Sequence, residues 1–297
     1  MPDPIVSVIV PTYKRTDYLK LTLESILAQT FQDFEIIVVD DGTPNDDNYE
    51  LCRNYDKIVY LKIDNSGTPG RPRNFGIRKA KGKYLAFVDD DDIWLPQKLE
   101  KQVAVLENNP DFGLVHCCCE VIDENGKLQN KIVGRPGSPD VKHGDVSLKM
   151  TGSWTIMMPT PLVRKEVIEK AGFFKEDMAP GTEDVIYWSR CSFETLFYYL
   201  DDPLVHYRVH SQNMSSNKGY YRKVPYHLKQ MLLEKRNENR ISAENYRMFI
   251  TKMSVNQIID LNLGYRGIIT ILSELDNFWF LRPRNLNALL FRLRMKE

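Results

Sequence analysis

Short apolar runs alternate with helical patterns through the first 125 residues of the chain. Between the first two runs, Leu19, Leu23 and Ile26 recur at the spacing of one helix face. The runs themselves are almost continuously apolar, which is typical of strands covered on both faces. This alternation is the pattern of βαβ units, so we predict an α/β fold with a mostly parallel central sheet flanked by helices. The predicted strands are VSVIVP, FEIIVVD, KIVYLKI and KYLAFVD, in chain order.

Beyond residue 125 the regular alternation of apolar runs and helical patterns ends. The pattern predicts helices over about 163–171 and 182–193, and then a pair of strands in LFYYLDDPLVHYRVH. After about residue 215 the sequence becomes helical and basic. We therefore expect one domain over 1–216, made of the halves 1–125 and 126–216, and a helical C-terminal extension over 217–297.

The amino-acid composition limits which functions are expected and indicates the cellular compartment of the protein. The 297 residues contain 40 basic and 40 acidic side chains, so no net charge attracts nucleic acid. The start MPDPIVSVIVP lacks the features of a signal peptide, and no apolar run reaches the ~18 residues that span a bilayer. The five cysteines form no CxxC pair, which favours free thiols in a reducing compartment. We therefore expect a cytoplasmic protein that binds no nucleic acid.

Aspartates follow two of the predicted strands at the point where each strand ends. Asp40 and Asp41 end the second strand, and the run Asp89–Asp92 ends the fourth. The carboxyl ends of parallel strands border one ligand-binding crevice, so these carboxylates should lie together. In extended backbone Asp89 and Asp91 point the same way, and hard cations such as Mg²⁺ bind carboxylates together with phosphate oxygens. The Asp89 and Asp91 pair therefore predicts a clamp for a metal–diphosphate complex.

The aspartates also have simpler structural explanations. Asp90 and Asp92 can cap or solvate the turn before the next helix, and we favour that explanation for both. Asp40 and Asp41 lie in DDGTPND, which makes a turn whether or not a carboxylate contacts a ligand. For these two residues we favour a contact with a nucleobase and a ribose.

The glycine-rich stretch DNSGTPGRPRNFG leads into a helix and contains Arg71, Arg73 and Asn74. Backbone amides, a helix N-terminus and guanidinium groups suit an anionic leaving group. Alternatively, the arginines balance the nearby aspartates as surface ion pairs. We favour phosphate or nucleotide contact for Arg71 and leave both alternatives open for Arg73.

Seven segments together resemble the family-2 glycosyltransferases, which have the GT-A fold. Each segment is weak evidence alone, but they follow the family's order over most of residues 6–216. The resemblance implies a Rossmann-like fold in which 1–125 binds a nucleotide-sugar and 126–216 binds the acceptor. The segments are VSVIVPTYKR, FEIIVVDDGT, NSGTPGRPRNFGI, GKYLAFVDDDDIWLPQKLEKQV, RKEVIEKAGFF, GTEDVIYWSR and YRVHSQNMS.

The same resemblance implies an inverting enzyme that moves a sugar from a nucleotide-sugar to a glycan or lipid-linked acceptor in surface polysaccharide biosynthesis. A UDP-sugar is the donor that the resemblance favours most. The sequence lacks the Gln-x-x-Arg-Trp motif of processive synthases, which favours the transfer of a single sugar per event.

Site residues follow from the resemblance position by position. Asp184 in TED would be the catalytic base, and Asp89, Asp91 and His210 would hold Mn²⁺ or Mg²⁺. Taken alone, TED would be a helix start capped by Thr182, and a single histidine after a strand is often structural. The nucleotide-sugar would contact Pro11, Thr12, Tyr13, Arg15, Asp40, Asp41, Arg71, Asn74 and Asp90.

Three other functions fit the residues less well. A sugar-nucleotide nucleotidyltransferase needs a glycine-rich, lysine-bearing loop after the first strand, where PTYKRTDYL has no glycine. A P-loop kinase is suggested only by GIRKAKGKY, whose glycine spacing is one residue too long and which lacks the Ser or Thr. A non-catalytic nucleotide- or glycan-binding module would keep the fold without needing Asp184.

The C-terminal stretch FWFLRPRNLNALLFRLRMKE combines apolar and basic side chains. A basic amphipathic helix can lie in the interface of an anionic membrane, which would place the protein peripherally at the inner face. Alternatively, this helix packs on the catalytic domain with its basic side in water. Both alternatives stay open. The basic residues are Arg282, Arg284, Arg292, Arg294 and Lys296.

Overall fold

The computed structural model describes residues 2–135, 139–214, 217, 219–259 and 264–294. Within these ranges the chain forms nine strands: β1 (Val6–Thr12), β2 (Phe34–Asp40), β3 (Ile58–Lys62), β4 (Tyr84–Phe87), β5 (Ile93–Trp94), β6 (Phe112–Ile122), β7 (Leu128–Val133), β8 (Leu162–Arg164) and β9 (Leu196–Arg208). They make one sheet in the order β3-β2-β1-β4-β8-β6-β9-β5, with β7 paired to β6.

Most of these strands run in one direction. β1 is parallel to both β2 and β4, β2 is parallel to β3, and β6 is parallel to β9. β8 is antiparallel to both β4 and β6, so β6 and β9 point the same way as β4. Only β5, β7 and β8 are reversed among the described strands. The predicted α/β fold with a mostly parallel sheet is confirmed.

Eleven α-helices accompany the sheet in the described ranges: α1 (Thr16–Leu27), α2 (Asp47–Cys52), α3 (Gly70–Lys79), α4 (Lys98–Asn108), α5 (Ser147–Met150), α6 (Lys165–Ala171), α7 (Glu183–Cys191), α8 (Val224–Asn237), α9 (Ala243–Ile259), α10 (Tyr265–Leu275) and α11 (Pro283–Arg294). The chain divides into two compact units, one made of 1–147 and 155–217 and the other of 148–154 and 218–297. The functional boundary predicted at residues 216 and 217 stays a prediction, and residue 216 lies outside the described ranges.

One sequence expectation about β9 is wrong. The stretch 196–210 forms one 13-residue strand rather than a pair of strands. Its pairing with β6 shifts register beside Pro203, so the proline and the two preceding aspartates make an irregularity within the strand instead of a turn. Proline cannot donate to a strand ladder, which explains why the shift occurs there.

The first unit has a core that the apolar pattern anticipated. All seven residues of β1 are buried, as are six of the seven in β2. Leu19, Leu23 and Ile26 of α1 pack against these strands from one side of the sheet. Burying a leucine or isoleucine contributes about 1.5–3 kcal/mol, so the apolar side of α1 is enough to hold the helix on the sheet.

The second unit has its own small core, built from α9, α10 and α11. Ile258, Ile268, Leu272 and Ala288 are buried together there. In the part of the chain that the structure describes, no helix has both the length and the apolar character needed to cross a bilayer. The five cysteines are buried and unpaired by disulfides.

Strand register brings the predicted acidic segments to one edge of the sheet. Thr12 at the end of β1 lies opposite Asp40 at the end of β2. Ile9 lies opposite Phe87, so the aspartate run that follows β4 emerges beside the end of β1. Gly42 reverses the chain after β2 with φ of +83°, and a Cβ at this position would lie 2.7 Å from the Asn65 amide nitrogen.

Candidate active site

Asp90 is the central hydrogen-bond acceptor at the end of β1. Its Oδ2 accepts from the Thr12 hydroxyl at 2.8 Å and from the Tyr13 amide at 3.4 Å, and its Oδ1 accepts from the Arg15 guanidinium at 3.2 Å. Burial, and then the charge of Asp91, raises the pKa of Asp90 to about 7 despite Arg15. These contacts bring Thr12, Tyr13, Arg15 and Asp90, all predicted nucleotide contacts, into one cluster.

Asp92 belongs to the interior of the protein. Its Oδ1 accepts from the Arg208 amide at 2.9 Å, and its pKa is raised well above the usual range, chiefly by burial. The expectation that Asp90 and Asp92 are solvated in a turn is therefore wrong, since they are only 5% and 0% exposed.

Asp91 joins two of the predicted site residues. Its Oδ2 accepts from the Arg15 guanidinium at 2.7 Å and lies 2.9 Å from Nε2 of His210. The His210 ring stacks on Tyr18, with centroids 5.4 Å apart, and the second Arg15 nitrogen donates to the Gln212 carbonyl at 3.2 Å. The segment after β9 thus closes over the acidic run.

The spacing of the Asp91 and His210 donor atoms fits a bound cation. Ligands at ~2.1 Å from an octahedral metal lie ~3 Å from one another, close to the separation seen here. Carboxylate oxygen with imidazole nitrogen suits Mn²⁺, and carboxylate oxygen suits Mg²⁺. Across the described residues, no group of three or more His, Cys, Asp or Glu side chains could hold an ion alone. A cation held by Asp91 and His210 would therefore need further ligands, such as phosphate oxygens.

Asp89 is held by an arginine that the sequence left ambiguous. Arg73 donates to Asp89 Oδ1 at 2.6 Å through one guanidinium nitrogen and to Glu183 Oε1 at 2.5 Å through the other. Arg73 is 3% exposed, so its role as a surface ion pair is excluded. Burial raises the pKa of Asp89, and the Arg73 charge opposes that shift. Arg73 thereby joins the end of β4 to the start of α7.

Asp184 lies in the first turn of α7, as the sequence predicts. Its Oδ1 accepts from the Val185 amide at 2.7 Å. Burial and the charge of Glu183 raise its pKa to about 8, with Asp89 adding to the shift and Arg73 opposing it. Thr182 occupies the N-cap position of this helix, but its hydroxyl donates to the Ala179 carbonyl at 2.7 Å and makes no capping hydrogen bond.

The two aspartates at the end of β2 hold the loops around them. Asp40 accepts from the Thr43 amide at 2.7 Å, from Asn48 at 2.8 Å and from the Tyr60 hydroxyl at 2.9 Å. Asp41 accepts from the Ser66 amide at 3.0 Å and from its hydroxyl at 2.8 Å. These contacts fix the turn that follows β2 and the glycine-rich stretch before α3.

The two predicted contacts on α3 differ in their partners. The Asn74 amide donates to the Phe174 carbonyl at 2.9 Å and to Glu176 at 2.8 Å, and its oxygen accepts from the Phe174 amide, so it clamps the loop before α7. Arg71 lies half-buried in the first turn of α3. Within the described residues its guanidinium makes neither a hydrogen bond nor an ion pair.

Arg73 could have been found from helical spacing. Gly70, Arg73, Asn74 and Ile77 follow the i, i+3, i+4, i+7 pattern and all are buried on α3. An arginine on the buried side of a helix must be paired with acid, which identifies Arg73 as structural to the site. Arg208, whose Nε donates to the Asp91 carbonyl at 2.9 Å, gave no comparable signal in the sequence.

A cleft of about 840 Å³ opens beside this cluster. Its lining includes Lys14 and Arg15 from the end of β1, Thr43 and Asn45 from the turn after β2, and Gln212 from the segment after β9. Asp17 and Asp47 also line this space, so two basic, two acidic and several polar side chains border the opening next to the acidic run.

Comparison with known proteins identifies a family for this arrangement. The model of the family described as "Glycosyl transferase family 2" matches residues 7–170. A Rickettsia bellii protein named as an uncharacterized glycosyltransferase is 34% identical over 73% of this chain and 31% of its own length. The Bacillus subtilis glycosyltransferase TuaG, provisionally assigned to teichuronic acid biosynthesis, is 31% identical over 72% of this chain and 83% of its own length. The chain thus matches under a third of the first relative.

Solved structures share the fold at low sequence identity. The fragment 1–349 of S. aureus TarS, in complex with UDP-GlcNAc, superposes with a TM-score of 0.60 at 22% identity, over 95% of this chain and 79% of the fragment. The mannosyltransferase PcManGT of Pyrobaculum calidifontis, in complex with GDP-Man and Mn²⁺, gives a TM-score of 0.58 at 16% identity, over 100% of this chain and 89% of PcManGT. The GT-A fold expected from the sequence is confirmed.

Proposed function

The chain belongs to glycosyltransferase family 2, and we propose that it is a metal-dependent inverting enzyme that transfers single sugars. The proposed donor is a nucleotide-sugar, with a UDP-sugar as the first candidate. The proposed acceptor is a glycan or a lipid-linked glycan in surface polysaccharide biosynthesis, reached from the cytoplasm. The observation that carries the proposal is the Asp89–Arg73–Glu183 bridge, which sets the base candidate Asp184 beside the acidic end of β4.

Asp184 is the base in this proposal. It accepts the proton of the acceptor hydroxyl while the hydroxyl oxygen attacks the anomeric carbon and the bond from that carbon to the diphosphate breaks. Inversion follows because attack and departure occur on opposite faces of the sugar. The start of α7 supports this role, since a helix N-terminus favours the carboxylate that Asp184 must present.

Arg71 binds the departing diphosphate. Its guanidinium lies at the N-terminus of α3 without a protein partner in the described residues, and a helix N-terminus also favours anions. Asp89, Asp91 and His210 would hold Mn²⁺ or Mg²⁺, which when bound supplies Lewis-acid stabilisation of the diphosphate charge. PcManGT, which shares the fold, was solved with GDP-Man and Mn²⁺.

Arg15 has two roles in this proposal. Its guanidinium pairs with Asp90 and Asp91 at 3.2 and 2.7 Å. A cation on Asp91 would make that pairing unnecessary and leave Arg15 free to bind a donor phosphate in the adjoining cleft, which Arg15 also lines. Thr12 and Tyr13 hold Asp90 in place, and Pro11, Asp40, Asp41 and Asn74 shape the nucleoside side through the strand ends and loops they fix.

A thermal-shift experiment tests the donor and the metal together. We expect UDP with Mn²⁺ to stabilise the chain by RT ln(1 + [L]/Kd), or about 2.7 kcal/mol at a hundredfold excess over Kd, and UDP without metal to stabilise it much less. GDP and dTDP, each with Mn²⁺, are the comparisons that identify the base. Stabilisation by GDP or dTDP in place of UDP would replace the donor candidate without affecting the transferase proposal.

Two variants test whether Asp91 binds the metal. Asp91→Asn should lose the metal-dependent part of the stabilisation, because the amide is a weaker ligand than the carboxylate. Asp111→Asn, at an exposed aspartate outside the site, is the matched control and should behave as the parent does. Metal-dependent stabilisation that survives Asp91→Asn would contradict the assignment of Asp91.

The pH dependence of transfer should report on Asp184. Its pKa is about 8, so the carboxyl holds a proton at neutral pH and cannot accept another from the acceptor. We therefore expect kcat/KM, which reflects the free enzyme, to rise about tenfold per pH unit until the pH reaches that pKa and then to level off. The measurement is the initial rate across the pH range at several Mn²⁺ concentrations.

A higher Mn²⁺ concentration should shift the rising part of this pH profile to lower pH. A positive charge held at Asp89 favours the ionised form of nearby Asp184, which lowers its pKa. If the pH dependence of kcat/KM is the same at every Mn²⁺ concentration, the proposed metal position does not influence the pKa of Asp184, and the two are not close together.

A further inference from the structure

Helix α11 in the second unit presents its apolar side to solvent. Leu286, Leu290 and Leu293 recur at i, i+4, i+7, and they are 44%, 55% and 52% exposed. The opposite side of the helix buries Asn285 and Arg292. A helix on the surface of a soluble domain has the reverse pattern, so another surface is expected to cover this side of α11.

The segment that leads into α11 also exposes apolar side chains to solvent. Phe278, Phe280 and Leu281 are all exposed, as is Phe291 within the helix. We refer to residues 278–293 as the apolar segment. Its seven exposed apolar side chains lie within 16 consecutive residues, which makes it the densest exposed apolar stretch of the described chain.

Positive charge accompanies the apolar segment. Residues 277–294 contain four arginines and no aspartate or glutamate. Arg292 is buried and Arg282 pairs with Asp276 at 2.8 Å, whereas Arg284 and Arg294 are exposed near the two ends of α11. A cavity of about 250 Å³ also borders the segment, and its lining includes Phe278, Lys229, Arg247 and the Arg282–Asp276 pair. Within the described residues the Arg247 guanidinium has no hydrogen bond or ion pair, so this cavity offers a cation to an anionic group.

We propose that the apolar segment docks on an anionic lipid surface, with its leucines and phenylalanines among the acyl chains and the exposed Arg284 and Arg294 among the headgroups. Exposed apolar side chains flanked by basic ones on a short helix are the properties of an interfacial membrane helix. Arginines near an anionic bilayer add electrostatic attraction.

A second copy of the chain is a poorer occupant for this surface. A symmetric pairing of α11 with itself would bring the apolar segments together, but it would also bring the exposed Arg284 and Arg294 of two segments together, and residues 277–294 contain no acidic side chain to balance them. A lipid surface covers the leucines and supplies negative charge at once. Docking does not depend on the proposed sugar transfer, because it uses residues of the second unit alone.

Vesicle co-sedimentation of the full chain tests the docking. We expect binding to vesicles of phosphatidylcholine mixed with phosphatidylglycerol, little binding to phosphatidylcholine alone, and weaker binding as salt rises. Leu290→Ser with Phe291→Ser should lower the vesicle partition coefficient at least about tenfold, because both side chains lose apolar burial in the bilayer. Thermal unfolding of this variant should match the parent, since both side chains are exposed.

The matched control changes two equally exposed apolar side chains elsewhere. Leu21 in α1 and Val59 in β3 are exposed in the first unit, and their replacement by serine should leave vesicle binding unchanged. Binding of the Leu290→Ser, Phe291→Ser variant at the parent's level would overturn the proposal. So would equal binding to neutral and anionic vesicles, or a dimer in light scattering that these two substitutions disperse. UDP binding in solution should be the same for all variants, which separates docking from the donor site.

Discussion

Replacing Asp184 by asparagine should lower kcat for sugar transfer by about a thousandfold and leave UDP binding with Mn²⁺ unchanged. A positioned general base contributes about 10²–10⁴ in rate, and the amide cannot accept the hydroxyl proton. Donor binding survives because the proposed phosphate and metal contacts, Arg71 and Asp91, lie on α3 and beyond β4 rather than on α7. The measurement is a single-turnover transfer rate beside a UDP titration on the same preparation.

Stability distinguishes this loss of chemistry from a loss of folding. Burial raises the pKa of Asp184 above its unfolded value, so the folded chain keeps a proton that the unfolded chain has released. Between the unfolded pKa and about 8, stability therefore falls as pH rises. Asparagine resembles the protonated acid and does not ionise in either state, so the variant should be as stable as the parent below the unfolded carboxyl pKa and increasingly more stable than the parent as the pH rises to about 8.

Two outcomes would contradict the base assignment. Transfer at the parent's rate would remove Asp184 from the chemistry. A drop in urea midpoint at every pH would mean that the carboxylate holds the fold instead. Glu183→Gln is not a suitable control, because Glu183 pairs with the buried Arg73. Asp145→Asn, outside the acidic cluster, provides a control for aspartate replacement in the same unit.

The sequence predicts the strand ends and the helix start that border this site, because the relevant signals are local. Apolar runs mark the strands, and the residues that follow them must lie at one edge of a parallel sheet. The position of Asp184 at a helix start likewise follows from the neighbouring residues in TED. These features need only a window of a few residues, so one sequence is enough to locate them.

The partners of the site residues could not be predicted, because they are distant in the chain. Arg73 and Glu183 are 110 residues apart, and Asp91 and His210 are 119 apart. Burial was misjudged for the same reason: Asp90 and Asp92 are polar in sequence, but β1 and β9 cover them in the fold. Only the helical spacing of α3 gave a local signal that one of its arginines is buried.

The two arginines of α3 give the largest expected contrast in stability. Arg73→Met should lower the free energy of unfolding by about 3–5 kcal/mol, because it leaves two carboxylates without their buried cation. Arg71→Met is the matched control on the same helix and should change stability by less than about 0.5 kcal/mol. It should instead weaken UDP binding, since Arg71 is the proposed phosphate contact. Urea unfolding and UDP titration of both variants measure the contrast.

The destabilisation by Arg73→Met should also depend on pH and on Glu183. Without the guanidinium, which opposes the upward shift, the pKa of Asp89 rises further in the folded state, so the variant loses stability as the pH increases above the unfolded carboxyl pKa. Acidification should therefore bring the variant closer to the parent. Adding Glu183→Gln should recover part of the loss, because one of the two unpaired charges is gone and the two effects are not additive. Equal unfolding midpoints for the Arg73→Met and Arg71→Met variants would show that the buried bridge does not hold β4 and α7 together. The bridge could then not be the reason that the base lies beside the acidic run.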